Sequence, residues 1–400
     1  MFRAIILKRN IENLFIFPFI LAGRLISRLY PLQAEYEIFF FFPFYTIGGA
    51  EKVHAQIAAM FKDKKAIVFF TRKSPNDLLF PEFKKTGFNL KNIAAYTDNK
   101  WLYFLNLIFR GIITGYINKQ KKPPLVFNGQ CNFAYKISPW VKKSITQLEL
   151  IHSYCSFSFI RIPFLPYYTH TVMISRQAID DHLKLYRRYN IPGRYDNRIL
   201  FIANGIDIPG NTAIPAFRHK EFLTALYVGR GTAEKRVHLA ALMAKECHRR
   251  NISVRFEFMG DVKDAIPTDL HPFCKFLNTQ TDPAVIDQVY RNADILLIVS
   301  STEGMPMVIM EGMARGLAII ATAVGDIPNY IEPGKNGFLL QPVTDEKAII
   351  DKGCNYIEQV NHNQKLLNEM ASANISMAVT NLDIKITREK YRSLFEKFLL

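Results

Sequence analysis

Cysteine is scarce in this 400-residue chain, with five residues at positions 131, 155, 247, 274 and 354. No two stand in C-x-x-C spacing and the number is odd. That argues against a disulfide framework or a structural zinc site and for reduced thiols in a cytoplasmic protein. The nine histidines never fall in H-x-x-x-H or H-E-x-x-H spacing, so no metal site is expected. No low-complexity tract and no internal repeat is present. The apolar stretch 14–22 falls short of the about 20 residues that cross a bilayer. Leu25, Ile26, Leu29 and Tyr30 extend it, but Arg24 and Arg28 interrupt it, and Pro18 is expected to kink any helix there. No small-residue cleavage pattern follows, so a signal peptide fits poorly. Residues 1–35 are read either as a membrane-associating interfacial segment or as a helix folded onto its own domain.

Acidic residues are missing mainly from the first half. Residues 1–200 hold 29 Lys/Arg against 12 Asp/Glu, whereas residues 201–400 hold 22 against 23. The whole net charge of +16 therefore belongs to the first half. Such asymmetry points to an anionic partner: a membrane surface, a phosphorylated or lipid-linked acceptor, or nucleic acid. Nucleic acid is the weakest of these, because no nucleic-acid-binding motif is present. A basic surface kept for solubility is the alternative.

Nearly half the residues are apolar and 22% are charged, as in a globular protein, and the length favours two domains over one. Short apolar runs at 38–42, 66–70, 125–127, 148–151, 172–174 and 199–202 read as buried strands. A second series follows at 225–228, 254–259, 295–299, 318–321 and 338–340. Helix-length segments such as 50–61, 176–188, 237–249 and 307–315 lie between them. Continuous apolar strands alternating with helices predict parallel sheets covered on both faces. The expected fold is α/β, with two facing Rossmann-like domains and ligands in a cleft beyond the strands' carboxyl ends. Gly205, Pro209, Gly210, Asn211 and Pro215 mark a linker over 205–220. It separates an N-terminal domain, 1–204, from a C-terminal domain, 221–380. The apolar positions Ile384, Ile386, Tyr391, Leu394, Phe395 and Phe398 predict a final helix within 381–400, packing back on the first domain.

The strongest chemical signal follows the strand at 295–299. There Ser300, Ser301, Thr302, Glu303, Gly304, Met305, Pro306 and Met307 lead into Glu311, Gly312 and Gly316. Pro306 suits the first position of a helix, with Glu303 in the loop before it and Glu311 about a turn and a half in. The free N–H groups of a helix start favour an anion, and a carboxylate can accept hydrogen bonds from adjacent hydroxyls. Together they suit a sugar–diphosphate–nucleoside. After the strand at 225–228, Gly229 is followed by Arg230 and Lys235, two cations able to neutralise a departing diphosphate without a metal. Arg236 reads as ordinary surface. After the first strand, Gly48 and Gly49 allow close approach to a ligand, with Tyr45 and Thr46 beside them. His152 ends the strand at 148–151, a place where a lone histidine is more often structural.

The stretch around Glu303 and Glu311 resembles the E-x7-E signature of retaining glycosyltransferases of the GT-B fold, the family-4 type. Asn292-Ala293-Asp294, Gly316, Ala321-Thr322, Gly325 and Ile331-Glu332-Pro333-Gly334-Lys335-Asn336-Gly337 match in register. Leu317-Ala318 departs from the family, which usually has a proline there. The resemblance is dense over 292–337 and scattered over 45–340. It implies that Glu303 contacts the transferred sugar and Glu311 the ribose, and that Arg230 and Lys235 hold the diphosphate. It implies further that Gly48, Gly49, Gly304, Met305 and Met307 line the donor and that His152 lies near the donor sugar. No cofactor is implied beyond the nucleotide-diphosphate sugar, which is the donor substrate.

The resulting expectation is a metal-independent, retaining glycosyltransferase of cell-surface polysaccharide or glycolipid synthesis. Its acceptor would be a glycan or a lipid-linked glycan. The protein would be cytoplasmic and peripheral on the inner face of the plasma membrane. Fold alone leaves two alternatives open. One is another GT-B enzyme, such as a sugar-nucleotide epimerase or a glycan phosphorylase. The other is a non-catalytic basic protein that binds a membrane or nucleic acid.

Overall fold

The computed structural model describes residues 1–210 and 221–399. Residues 211–220, which hold most of the linker read from sequence, lie outside the described residues. The chain divides into two compact units: Met1–Ala203 together with Arg388–Leu400, and Asn204–Thr387.

The first unit is a seven-stranded parallel sheet of β1 (Ile38–Phe42), β2 (Ala66–Phe70), β3 (Asn89–Asn92), β4 (Leu125–Asn128), β5 (Gln147–Ile151), β6 (His170–Met173) and β7 (Ile199–Phe201), in the order β3-β2-β1-β4-β5-β6-β7. All five residues of β1 are buried, because both faces of the sheet are covered. Phe39 and Phe41 join Ile113 and Ile117 of the helix Tyr103–Asn118 on one face. On the other, Phe40 packs on Phe61 and Phe395, whose rings stack 4.2 Å apart. Phe395 belongs to the last helix, Ile384–Glu396, and Arg392 of that helix donates to both carboxylate oxygens of Asp63 at 2.9 Å.

The second unit is a six-stranded parallel sheet of β8 (Leu223–Val228), β9 (Val254–Met259), β10 (Cys274–Asn278), β11 (Ile295–Ile298), β12 (Ala318–Thr322) and β13 (Gly337–Leu340), in the order β10-β9-β8-β11-β12-β13. Ile295 and Leu297 face the helices Val237–Arg249 and Glu346–His362, while Leu296 of the opposite face packs against Gly312 of the helix Met307–Met313. The edge strands β3 and β10 escape a search for apolar runs, because Asn89, Lys91 and Asn92 interrupt the one and Lys275 and Asn278 the other.

The N-terminal segment forms one helix, Phe2–Leu29, that runs unbroken through Pro18. Pro18 lies on the exposed side, where water can satisfy the carbonyl its missing N–H leaves unpaired. The helix folds onto its own unit. Gly23 meets Gly111 of the helix Tyr103–Asn118 so closely that a Cβ on Gly23 would lie 2.7 Å from the Gly111 Cα. Two small residues thus let two backbones touch. A Gly23→Val substitution must separate them, and overpacking of this kind costs about 1–3 kcal/mol. The expected outcome is a Tm lower by roughly 2–10 °C in a thermal melt, whereas Ala22→Val on the exposed side leaves Tm unchanged.

Candidate functional site

In an open parallel sheet, ligands sit beyond the strands' carboxyl ends where the strand order reverses. In the second unit that point lies between β8 and β11. The segments leaving these two strands are those that carry Arg230, Lys235 and Glu303, separated by some seventy residues in sequence. Folding joins two of them. The Lys235 Nζ lies 2.5 Å from the Glu303 Oε1, and the Ser300 hydroxyl donates to the same oxygen at 2.6 Å. Both side chains are mostly covered, 22% of Lys235 and 10% of Glu303 remaining exposed. Gly325, at φ +56°, packs against the backbone of Glu303 and Gly304, and a Cβ there would lie 2.8 Å from the Glu303 carbonyl carbon. The amide of Asp326 donates to the Gly304 carbonyl at 2.9 Å. Together these contacts hold the Glu303 loop from below.

Glu311 sits on the helix Met307–Met313, whose N-cap is Pro306, one residue earlier than the helical position expected for it. Its carboxylate accepts from the Tyr290 hydroxyl at 2.9 Å. Burial, together with the Glu311 charge, pushes the Tyr290 hydroxyl well above its ordinary pKa, so it stays a donor. Arg315 lies over the Tyr290 ring and pairs with Asp287 at 2.8 Å. Sequence reading passed over Tyr290, since a tyrosine twenty-one positions from its partner leaves no local signal.

Arg230 is not drawn into this cluster. Its side chain is 64% exposed, and the nearest carboxylate is Glu234, at 4.0 Å. Met305 and Met307 bury their side chains, so they present backbone rather than thioether to any ligand. The first amides of a helix lack intrahelical partners, which suits an anion, although this helix has only seven residues.

Arg236 is a correction to the sequence reading. It is buried, not surface, and holds a left-handed φ of 46°. Its guanidinium donates to the carbonyls of Val299 at 2.9 Å, Ser300 at 3.0 Å and Val343 at 2.8 Å. It ties the segment after β8 to the end of β11, and so positions both Lys235 and Ser300. Adjacent cations read alike in sequence, and only burial separates their roles.

In the first unit the strand order reverses between β1 and β4. Gly48 caps the helix Gly49–Ala59 there, and the amide of Lys52 donates to the Gly48 carbonyl at 2.9 Å. Tyr45 rests on Phe70 and Phe80. His152, after β5, meets a second histidine that sequence reading missed: its Nε2 lies 2.9 Å from the Nε2 of His54. His54 is buried and stacks on Phe42 at 4.6 Å. The His152 amide donates to the Gln130 side chain at 3.1 Å. One imidazole must carry the hydrogen of the shared contact and the other must accept it. Burial lowers the pKa of His152 to about 4 and that of His54 well below its ordinary value, so the pair is neutral at pH 7. Among the described residues, no group of three or more His, Cys, Asp or Glu stands close enough to hold a metal ion.

Residues 223–359 match the family model of glycosyl transferases group 1. A putative colanic acid biosynthesis glycosyltransferase of Salmonella typhimurium is 25% identical over 148 residues, 32% of this chain and 34% of that protein. The protein of the same description from Escherichia coli is 23% identical over 169 residues, 37% of this chain and 39% of that one. The matched stretches thus span little more than a third of these curated relatives. Among solved structures, Anabaena HepE in complex with UDP and glucose superposes with a TM-score of 0.70 at 16% identity, covering 90% of this chain and 100% of that one. The apo lipopolysaccharide outer core galactosyltransferase WaaB gives 0.63 at 20% identity, covering 90% and 99%. At these identities the likeness establishes the GT-B fold.

Arg236→Ala removes three charge-assisted hydrogen bonds from a buried site. It is expected to destabilise the second unit by at least about 1.5–3 kcal/mol, the worth of one such bond, read as a lower urea midpoint. The histidine pair gives a pH dependence. The unfolded imidazole binds its proton near pH 6.5, whereas folded His152 does so only at about 4. The unfolded state therefore binds more protons between these values, and stability falls as pH drops below about 6.5. Tm measured from pH 7 to pH 5 should decline, and His152→Gln should flatten that slope.

Proposed function

We propose that this chain, whose residues 223–359 match the family model of glycosyl transferases group 1, is a retaining glycosyltransferase. It moves a sugar from a nucleotide-diphosphate sugar to a glycan or lipid-linked acceptor of cell-surface polysaccharide or glycolipid synthesis. The observation that carries this reading is the Lys235–Glu303–Ser300 cluster at the strand reversal of the second unit. A carboxylate fixed from two sides presents its remaining lone pairs in one direction, as binding a sugar hydroxyl requires. Glu303 is assigned to the transferred sugar and Glu311, steadied by Tyr290, to the ribose hydroxyls. Lys235 and the exposed Arg230 neutralise the diphosphate, and the backbone at Gly304, Met305 and Met307 meets its oxygens. In the first unit, His152 and the backbone of Gly48 and Gly49 are the candidate ligand contacts. The reaction takes place in the cytoplasm, at the inner face of the plasma membrane.

Retention follows from a front-face displacement. The bond from the anomeric carbon to the diphosphate oxygen breaks, and the bond to the acceptor oxygen forms on the same face. The acceptor proton passes to the leaving phosphate, so no protein nucleophile is needed. Two further groups position these side chains. Arg236 holds the Lys235 and Ser300 segments together, and His54 orients His152.

A thermal-shift panel of nucleotide sugars tests the donor assignment, because a ligand bound to the folded state raises Tm. Glu311→Ala should weaken donor binding, and Glu303→Ala should lower turnover with less effect on free nucleotide. Arg230→Ala and Lys235→Ala should each cost about 1.5–3 kcal/mol in nucleoside-diphosphate affinity, roughly tenfold or more. Wild-type behaviour of all four variants would discard the site. Activity should survive EDTA, and a loss restored by a divalent ion would overturn the cationic clamp.

A further inference from the structure

The outer face of the helix Phe2–Leu29 is apolar and uncovered. Leu7, Ile11, Leu14, Leu21 and Leu25 recur at helical spacing opposite the buried Ile20, Gly23 and Ser27, and all five are exposed. Phe15 joins them, 74% exposed. From Leu7 to Leu29 the stripe runs about 33 Å at 1.5 Å per residue. It does not end with the helix. The Phe19 ring lies 5.8 Å from Phe104, and exposed Tyr103, Phe104 and Leu105 carry the surface on to Trp101, 94% exposed. Soluble proteins seldom leave apolar surface contiguous over such a length.

Trp101 also edges an open pocket of about 690 Å³ beyond β2 and β3, whose polar lining is Lys73, Asn92, Asp98 and Asn99. Amides, a carboxylate and an ammonium beside an indole are the groups that hold a sugar or a phosphorylated headgroup. The apolar stripe and the polar pocket therefore share a border at one residue.

We propose that the outer face of Phe2–Leu29, continued by Trp101–Leu105, docks on an anionic lipid bilayer. The pocket beside Trp101 then receives the head of a lipid-linked acceptor. Charge selects this occupant over a second copy of the chain. Of the basic residues in 1–34, Arg3, Lys8 and Arg28 are exposed, whereas Arg24 donates to the Trp140 carbonyl at 2.9 Å and Arg9 pairs at 2.8 Å with Glu12, the one acidic residue of that stretch. Two such faces would repel each other, whereas anionic headgroups attract both the helix and the basic first half of the chain. Among the described residues no helix is long and apolar enough to cross a membrane, and a stripe of this kind lies in the interface plane. Tyrosine and tryptophan at the rim suit the headgroup level. The docking does not depend on the proposed reaction. The role of the pocket rests on the lipid-linked acceptor of that reading.

The test is co-sedimentation of the full chain with phosphatidylglycerol or phosphatidylcholine vesicles at low and high salt. Wild type should bind phosphatidylglycerol vesicles and lose most of that binding as salt rises. The triple variant Leu14→Gln, Leu21→Gln, Leu25→Gln changes only exposed positions and should bind at least tenfold more weakly, with its nucleoside-diphosphate thermal shift intact. In a Trp140→Phe background Trp101 is the only tryptophan. Its emission should shift to the blue on vesicles and be quenched by brominated lipid, a readout that needs no change to the stripe. Absence of binding at low salt, wild-type binding by the triple variant, or a Trp101 spectrum indifferent to vesicles would each overturn the proposal. So would a dimer that the triple variant converts to monomer, which would assign the face to a second copy. Vesicle binding requires no sugar transfer, so failure here leaves the reaction standing, and loss of donor binding leaves the docking standing.

Discussion

Strand β8 lies beside β11, although the chain leaves β8 toward β9 and β10 and leaves β11 toward β12 and β13. Right-handed crossovers then send the helices after these two strands to opposite faces of the sheet. Between their starts a gap opens at the carboxyl edge, and the segments that border it meet there. The Lys235–Glu303 pair bridges it. Two mostly covered opposite charges in contact are costly to separate, since either one alone would keep the desolvation penalty without its partner. The pair thereby fixes the direction of both side chains, and Ser300 and Gly325 limit what freedom remains.

Charged side chains in this protein divide by whether every polar atom is answered within the chain. Arg236 donates to three carbonyls and Arg161 to Glu149, Thr171 and Tyr186, with Glu149 and Arg161 buried beneath the sheet of the first unit. Each nitrogen of these groups has a partner inside the protein, and they act as braces. Arg230, in contrast, keeps most of its guanidinium in solvent. Binding substrate there would cost little rearrangement, because nothing in the protein competes strongly for it. The buried Glu149–Arg161 pair shows a deeply placed carboxylate in the first half of the chain committed to a partner inside the protein.

The N-terminal helix shows the same division for apolar groups. Gly23 and Ser27 line the contact with the helix Tyr103–Asn118 because small side chains let the backbones approach, and they leave most of the leucines to the outside. A helix whose bulky face is not the packed face is unusual for a globular unit. Small residues carry the crossing itself, Ile20 and Phe2 fill the rest of the inner face, and Leu7, Leu14, Phe15, Leu21 and Leu25 stay exposed.

Much was legible in the sequence because parallel strands buried on both faces must be continuously apolar. Phe39–Phe42 and Leu296–Ile298 announce themselves for that reason, and the two series of such runs predict two doubly wound units. The segment 300–311 was legible because strand, loop and helix follow each other within twelve residues. Edge strands β3 and β10 were not, since an edge may expose polar residues without penalty. Nor were contacts between residues far apart in sequence. Nothing in the order of residues pairs Tyr290 with Glu311 or His54 with His152, or shows that Arg236 is buried beside the exposed Arg230. Hydropathy and turn chemistry are local and are carried by the sequence itself. Partner, burial and protonation are set by what the crossovers bring to the carboxyl edge, and only the tertiary structure decides them.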